Sequence, residues 1–514
     1  MTMSMTTPTI DPDTLSMGAI RDGALRDRPV AVLGFARSGI ALARFLADAG
    51  ARVRIHDARP AAELERAIGQ LDGRVVELAL GRDVDPAAIL EDVALVTTSP
   101  VINPDYPTTE PRLRAVLRSL VDRRAAGDVT APALVQEADL FLRLCPAPTV
   151  GITGTKGKTT TSSLIHAILA ADPIHPAVLG GNIGVPLVER LWELTPEHRV
   201  VIELSELQLP TLSRGTTIAA YTNVTSDHLD RHGSLEAYRR VKRRLAELVD
   251  PDGALVLNGD DPVVTAYAVV YRDGPPMAGG VGVVDEWIVA AGVPRLALAG
   301  GGQAATGPGG RIMPLGELTI PGRHNVSNAL AGVAVGLLAG LAPDAIRRAA
   351  AGFSGVEHRL EPVALIDGVR FVNDSQGTQP DAVIAALRAF EAPVVLIAGG
   401  RDKGVDLEPL SREAGERVDA AVLIGESGPT LERLFRAQGV TRTERAATLE
   451  AAVERADALA RDALAASGGG IGGPATVLLS PAAASFDMFE DYAARGRAFK
   501  AAVAALAQRR RGGS

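Results

Sequence analysis

The strand-like segment at residues 149–153 passes straight into Gly154-Thr155-Lys156-Gly157-Lys158-Thr159, and a helical stretch follows to residue 170. A strand that turns on glycines and leaves as a helix commits a chain to a small set of folds. The glycines let the backbone curl until several N–H groups face one anion. The helix N-terminus adds its partial positive charge at the same point. In such a loop Lys158 can reach the β- and γ-phosphates of a nucleotide, and the Thr159 hydroxyl can ligate Mg2+. The segment predicts an ATP site made by Gly154, Thr155, Lys156, Gly157, Lys158, Thr159 and Thr160. The strict phosphate-loop spacing places glycine five residues before Gly157, where this chain has Ile152. The flanking strand and helix, rather than the letters, carry the reading. The alternative is an ordinary strand–helix turn with a surface lysine.

A buried strand of this kind needs parallel neighbours and helices on both faces. The same alternation recurs along the chain. Residues 29–33, 53–56 and 95–98 read as strands, with a glycine turn at 34–39 and a helix at 40–49. Beyond the phosphate loop, residues 200–204, 218–223 and 254–258 continue the pattern. Helices are expected at 238–248 and 326–341, and a glycine-rich loop or hairpin at 299–310. Strands at 370–373, 394–398, 420–424 and 476–479 make a third set. The expected fold class is α/β, with three consecutive α/β domains. The first is Rossmann-like, the second resembles a P-loop ATPase and the third is again Rossmann-like. Their expected spans are 29–134, 135–355 and 356–514, after a loose extension at 1–28. A length of 514 residues suits about three domains.

Composition narrows the partners. Aromatics make up 4% and the net charge is -8, so nucleic acid and anionic membranes are not expected partners. Cys145 is the one cysteine, which allows no disulfide within the chain and no cysteine metal cluster, and fits a reducing compartment. Residues 1–13 show no basic stretch followed by an apolar run, so no signal peptide is expected. No stretch approaches the ~20 apolar residues of a membrane span.

Glu203 ends one central strand, and Asp227-His228-Leu229-Asp230 follows the next. Open α/β sheets bind ligands at the carboxyl ends of their strands. A carboxylate and an imidazole there could hold a second Mg2+ beside the γ-phosphate. Each alone has a plainer reading, a capping carboxylate for Glu203 and a loop histidine for His228. The run Arg239-Arg240-Val241-Lys242-Arg243-Arg244 reads first as a solvated helix face. Lys242 lies near enough in sequence to His228 to return to the same site.

These segments together resemble the Mur ligase family. The resemblance rests on 154–159, Gly180-Gly181-Asn182-Ile183-Gly184, Glu203-Leu204-Ser205, Asp227-His228-Leu229-Asp230 and 238–242. It continues through Asn258-Gly259-Asp260-Asp261, Gly322-Arg323-His324-Asn325 with Asn328, and Glu357-His358-Arg359-Leu360-Glu361. Asn373-Asp374-Ser375, Gly399-Gly400-Arg401-Asp402-Lys403-Gly404 and 479–489 with Tyr492 complete it, over about residues 29–505. The resemblance implies a cytoplasmic, monomeric enzyme of peptidoglycan precursor synthesis. It implies ATP-dependent addition of D-glutamate to UDP-N-acetylmuramoyl-L-alanine, through an acyl phosphate, with two Mg2+ sites.

Residue roles follow from the resemblance alone. Lys158, Glu203, His228 and Lys242 are its catalytic set. Thr159, Glu203, His228 and Lys242, the last as a CO2-derived carbamate, are its metal ligands. Asn328, Arg359 and Asp374 join the phosphate loop at ATP. Arg37, Ser38, Asp57, Arg59 and Ser99 match the UDP end, while Asn182 and Ser205 match contacts nearer the muramoyl-alanine. Thr378, Lys403, Ser485 and Phe486 match the D-glutamate pocket.

The chain departs from the pattern at Glu206, where the family has a second serine, adding negative charge near the metals. Gln376 stands where lysine is frequent, and Val101 where glycine is usual. Other readings remain. The turn 34–39 with Asp57 suggests a nicotinamide dehydrogenase, but Ala36 would crowd a pyrophosphate. A nucleotide-sensing protein without catalysis would lack the metal and base residues present here. A sister ligase taking L-glutamate or another amino acid is the nearest alternative.

Overall fold

A computed structural model describes residues 8–225, 229–268, 279–320, 322–402, 405–466 and 473–512. The chain forms two compact units, Met1–Leu318 with Arg323–Gly352, and Thr319–Gly322 with Phe353–Ser514.

The first unit holds two parallel five-stranded sheets. One has the order β3-β2-β1-β4-β5, from β1 (Pro29–Leu33), β2 (Arg52–Asp57), β3 (Glu77–Leu80), β4 (Leu95–Thr98) and β5 (Ala133–Gln136). The central strand β1 is buried on both faces, which is why it reads as an unbroken apolar run. Its Pro29 sits at the first position, where a missing N–H costs no interior ladder bond. β5 runs two residues past the expected domain boundary at 134.

The second sheet has the order β10-β9-β6-β8-β7, from β6 (Thr149–Thr153), β7 (Ala177–Gly181), β8 (Arg199–Glu203), β9 (Ile218–Tyr221) and β10 (Ala254–Leu257). Its strands β6, β8 and β9 are adjacent, so their carboxyl ends converge. The helix Lys158–Leu169 leaves the end of β6 and packs on the helix Arg323–Leu338. The small residues of that second helix have a packing reason. A Cβ at Gly336 would meet Ile168 Cγ2 at 2.8 Å, and one at Gly332 would meet Ile168 Cδ1 at 3.0 Å.

A small antiparallel sheet, β11 (Gly280–Val284), β12 (Trp287–Ala291) and β13 (Arg311–Pro314), completes this unit. The glycine-rich stretch 299–310 lies in the connection from β12 to β13.

Residues 8–28 correct the expectation of a loose extension. Asp11 and Ser16 cap a turn at Pro12–Thr14 and a helix at Met17–Arg21. Ile10 N–H donates to Ala94 O at 2.9 Å, and Ile10, Leu15, Met17, Ile20 and Leu25 are buried. Each such side chain contributes on the order of 1.5–3 kcal/mol. Their uneven spacing shows no helical or strand period, which hides the segment from a periodicity reading.

The second unit is a six-stranded sheet of order β14-β15-β19-β16-β17-β18. Its strands are β14 (Glu361–Ile366), β15 (Val369–Asn373), β16 (Val394–Gly399), β17 (Ala420–Ile424), β18 (Thr443–Arg445) and β19 (Ala475–Leu479). β14 is antiparallel to β15, and the other pairs are parallel. No helix among the described residues is long and apolar enough to cross a membrane.

Candidate active site

The phosphate loop is shaped by the exit of β9. Asn223 O accepts from Thr155 N–H at 2.8 Å, and Asn223 Oδ1 accepts from Lys156 N–H at 2.9 Å. Thr222 Oγ1 and Asn223 Nδ2 donate to Lys156 O at 2.7 and 2.9 Å. Gly154 (φ 150°) and Gly157 (φ 85°) take the conformations that this curl demands. Lys158 Nζ donates to Thr155 O at 2.9 Å, and Thr159 and Thr160 are half-buried at the helix start. Asn328 is buried against this helix, where its Oδ1 accepts from Thr161 Oγ1 at 2.9 Å and its Nδ2 donates to Asn325 Oδ1 at 2.9 Å.

Beside the loop, Glu203 closes β8 at 2% exposure. Asn182 donates twice to it, from N–H to Glu203 O at 2.9 Å and from Nδ2 to Oε1 at 2.7 Å. The second carboxylate oxygen, Oε2, is buried without a hydrogen-bond partner. A bare buried carboxylate oxygen is costly unless a cation completes it. The donor set therefore fits Mg2+. Among the described residues no three His, Cys, Asp or Glu side chains converge as a metal site. His228, expected as a further ligand, lies outside the described residues.

The basic helix Leu235–Leu248 resolves into two faces. Tyr238, Lys242, Leu245 and Ala246 point inward at helical spacing, while Arg239, Arg240 and Arg243 are exposed. Lys242 is fully buried, its Nζ donates to Thr153 Oγ1 at 3.4 Å and stands 5.5 Å from the Tyr238 ring centre. Tyr238 OH in turn shares a hydrogen bond of 3.0 Å with Thr155 Oγ1 of the phosphate loop. The loop, Glu203 and Lys242 thus gather at the carboxyl ends of β6 and β8.

At the carboxyl edge of the first sheet, Asp57 Oδ2 accepts from Phe35 N–H at 2.8 Å and from Arg59 Nη2 at 2.8 Å. Burial pushes the Asp57 carboxyl up, but the Arg59 and Phe35 hydrogen bonds outweigh it and hold it below the usual value. Ser99 Oγ is buried without a partner, a donor left for a ligand, and Ser38 is half-buried. Arg37 reaches the carbonyls of Asn182 (3.2 Å) and Gly184 (3.0 Å), tying the two sheets of this unit. Ser205 is less available than expected, because its Oγ donates to Gln208 Oε1 at 2.9 Å. The extra charge expected from Glu206 is also corrected: Arg231 Nη1 pairs with its Oε1 at 3.1 Å. Val101 is 55% exposed.

In the second unit, Asn373 Nδ2 bonds His358 Nδ1 and Glu361 Oε2, both at 2.9 Å, and folds the 357–361 segment into a turn. This turn leaves Arg359 exposed and aims Leu360 N–H at Asp374 Oδ1, 3.1 Å away. Ser480 Oγ donates to Asp374 Oδ2 at 2.6 Å. Thr378 is half-buried, Ser485 is buried and Phe486 is 65% exposed. Gln376 Oε1 is buried without a partner. Lys403 lies outside the described residues. Arg495 was not singled out from the sequence. It is buried beneath this loop cluster, where it donates to Ser375 Oγ (3.0 Å), Ser375 O (2.9 Å) and Ala483 O (3.2 Å).

Burial raises the Asp374 carboxyl from 3.8 to about 6, against the Ser480 and Leu360 hydrogen bonds. The folded state therefore holds this proton more tightly than the unfolded chain. The resulting stability is present below pH 3.8 and is lost as pH rises through about 6. Asp374→Asn keeps the acceptor for Leu360 and removes that loss. Thermal melts should show the variant's second unit gaining up to about 3 kcal/mol between pH 4 and 7. A gain independent of pH would contradict the assignment.

Two family models match the chain, the Mur ligase middle domain at residues 152–336 and the Mur ligase glutamate ligase domain at 358–470. The α/β sheets and the phosphate loop thus belong to a Mur-type ligase. The UDP-N-acetylmuramoylalanine–D-glutamate ligase of Symbiobacterium thermophilum is 38% identical, over 93% of this chain and 98% of its own. That of Roseiflexus sp. is 38% identical over 92% of this chain and 97% of its own. The chain belongs to the UDP-N-acetylmuramoylalanine–D-glutamate ligase family. Its fold is also that of the UDP-N-acetylmuramate–alanine ligase from Thermotoga maritima (TM-score 0.50, 16% identity, 93% of this chain and 99% of that one).

Proposed function

We propose that this protein joins D-glutamate to UDP-N-acetylmuramoyl-L-alanine at the expense of ATP, in the cytoplasmic supply of peptidoglycan precursors. The observation that carries the site assignment is the bare Glu203 Oε2, buried at a strand end next to the phosphate loop.

A carboxylate does not acylate an amine directly, because oxide is a poor leaving group. The alanyl carboxylate oxygen attacks the γ-phosphorus of ATP, the bond to the bridging oxygen breaks and ADP leaves. The neutral amine of glutamate then attacks the acyl carbon, the acyl C–O bond breaks, and phosphate departs while the amine gives up its proton. Both steps concentrate negative charge on phosphoryl oxygens. The N-terminus of the helix Lys158–Leu169 and the Lys158 ammonium would meet that charge, on a loop whose path Thr222 and Asn223 fix in advance. Asn182 holds Glu203 in place. Thr159, Glu203, His228 and Lys242, the last as a carbamate, would hold Mg2+. Bound there, Mg2+ would neutralise the phosphoryl oxygens. Ser99, Asp57, Arg59, Ser38 and Arg37 serve the UDP end. Arg359, Asp374 and Asn328 serve ATP, and Thr378, Ser485, Phe486 and Lys403 serve glutamate.

The test supplies UDP-N-acetylmuramoyl-L-alanine and ATP with D-glutamate, L-glutamate, meso-diaminopimelate or L-alanine, and measures phosphate release. Release dependent on D-glutamate is expected. Release with L-glutamate alone would reassign the chain to a sister activity, and none with any amine would remove ligation.

A further inference from the structure

Glu206 introduces a second carboxylate three positions beyond Glu203, within about 11 Å along the chain. The two carboxylates are treated differently by their surroundings. Glu203 keeps one buried oxygen without a hydrogen-bond partner, whereas Glu206, 7% exposed, is paired with Arg231 at 3.1 Å. Arg231 belongs to the helix Leu229–His232, which the segment bearing His228 leads into. The backbone of Glu206 also meets the connection from β4 to β5 of the first sheet, since Tyr106 OH donates to Glu206 O at 3.3 Å. Tyr106 is buried, and its ring meets His232 edge-on at 6.3 Å. His232 meets Tyr238 in the same way at 5.5 Å, and Tyr238 bonds the phosphate loop. Glu206 is therefore the junction of three segments: the exit of β8, the helix Leu229–His232 and the loop carrying Tyr106.

We propose that Glu206 and Arg231 form a charge-neutral positioning pair for the cation-binding end of β8. Arg231 keeps the Glu206 carboxylate from competing with Glu203 for a divalent cation. The Glu206 carboxylate, in return, tethers the helix Leu229–His232 to that strand end, while the backbone carbonyl of the same residue holds Tyr106. The inference rests on the reading of Glu203 as a cation ligand. Neither partner touches substrate, and both act through the placement and field at Glu203. A serine at position 206 would supply neither the charge nor the reach to Arg231.

The charges give the pair a signature that packing alone would not. Removing Arg231 leaves an extra anion near the cation, and removing the Glu206 charge leaves an extra cation. At about 10 Å and an effective dielectric constant near 20, a unit charge changes divalent affinity by about two orders of magnitude, in opposite directions for the two variants. The experiment titrates Mn2+ into the full-length chain with a non-hydrolysable ATP analogue, and reads free Mn2+ by electron paramagnetic resonance. Arg231→Met is expected to tighten Mn2+ binding, because one positive charge near the cation is lost, yet to lower kcat, because the helix Leu229–His232 loses its tie to the strand end. Glu206→Gln is expected to weaken Mn2+ binding, and the double variant to return near the parent value. Arg231→Lys keeps the charge and should keep the affinity, which guards against loss of fold in the methionine variant. Single variants that both weaken binding, or leave it unchanged, would overturn the pair's role. Glu203→Gln separates this from the underlying reading. If it fails to remove a Mn2+ site, the cation assignment itself falls, whatever the pair does.

Discussion

Lys242→Met is expected to lower ligation about a thousandfold while ATP binding changes little. Lys242 is completely buried, and lysine is almost never so unless its charge is paired or removed. Its Nζ has reached the carboxyl end of β6, beside Thr153 and the Tyr238 ring. An ammonium there would repel a divalent cation held by Glu203. Reaction of the neutral amine with CO2 forms an N–C bond, releases a proton and leaves an anionic carbamate, which suits the same cation. Methionine is unbranched, only one atom shorter than lysine, and tolerated in packed interiors, so the fold should survive. Two measurements separate the carbamate from a merely structural lysine. Activity should fall in CO2-depleted buffer and return with bicarbonate. Carbon-13 bicarbonate should give a carbamate resonance in the parent that is missing from the variant. Ordinary turnover by Lys242→Met would remove the residue from the mechanism.

The strands that could be read to the residue are those buried on both faces. Pro29–Leu33 and Ala420–Ile424 are unbroken apolar runs, Leu95–Thr98 and Thr149–Thr153 are buried runs broken only by threonine and glycine, and each has parallel partners on both sides. The strands that escaped are of another kind. Glu77–Leu80 and Ala177–Gly181 lie at sheet edges, Thr443–Arg445 has three residues, and Gly280–Val284 is interrupted by glycines. None of them has to be continuously apolar, so none announces itself.

The site divides along a similar line. Glu203 was legible as a strand-end carboxylate, whereas Ser99 and the role of Lys242 came from the family resemblance, and the basic run around Lys242 reads by itself as a solvated face. The residues that hold them were less so. Thr222 and Asn223 shape the phosphate loop from about 67 positions away, and Arg495 reaches Ser375 across 120. Contacts of that range follow from the sheet order, which local pattern does not encode. Glu206 shows the same limit in reverse. Its identity was plain, but its neutralisation by Arg231 depends on the path between two strand ends.

Gly154→Ala is expected to reduce ATP affinity at least about a hundredfold, with the second unit's melting unaffected. The residue sits at φ 150°, a region that side chains rarely occupy, which alone costs on the order of 1–3 kcal/mol. The added methyl would also overlap Thr222 Oγ1 and stand 3.0 Å from Asn223 O. Neither neighbour can yield freely. Thr222 Oγ1 is donating to Lys156 O, and Asn223 O is accepting from Thr155 N–H. Making room therefore breaks the strap that aims the loop N–H groups, and the anion site is lost with it. Gly157→Ala provides the graded comparison. Its φ of 85° is also unfavourable, but its methyl would approach only the Asn328 side chain, at 3.0 Å from Oδ1, and no atom of the strap. A smaller loss is expected there. Calorimetric titration with a non-hydrolysable ATP analogue ranks the three proteins. Parent-like affinity in Gly154→Ala would mean that the strap from β9 does not set the nucleotide site.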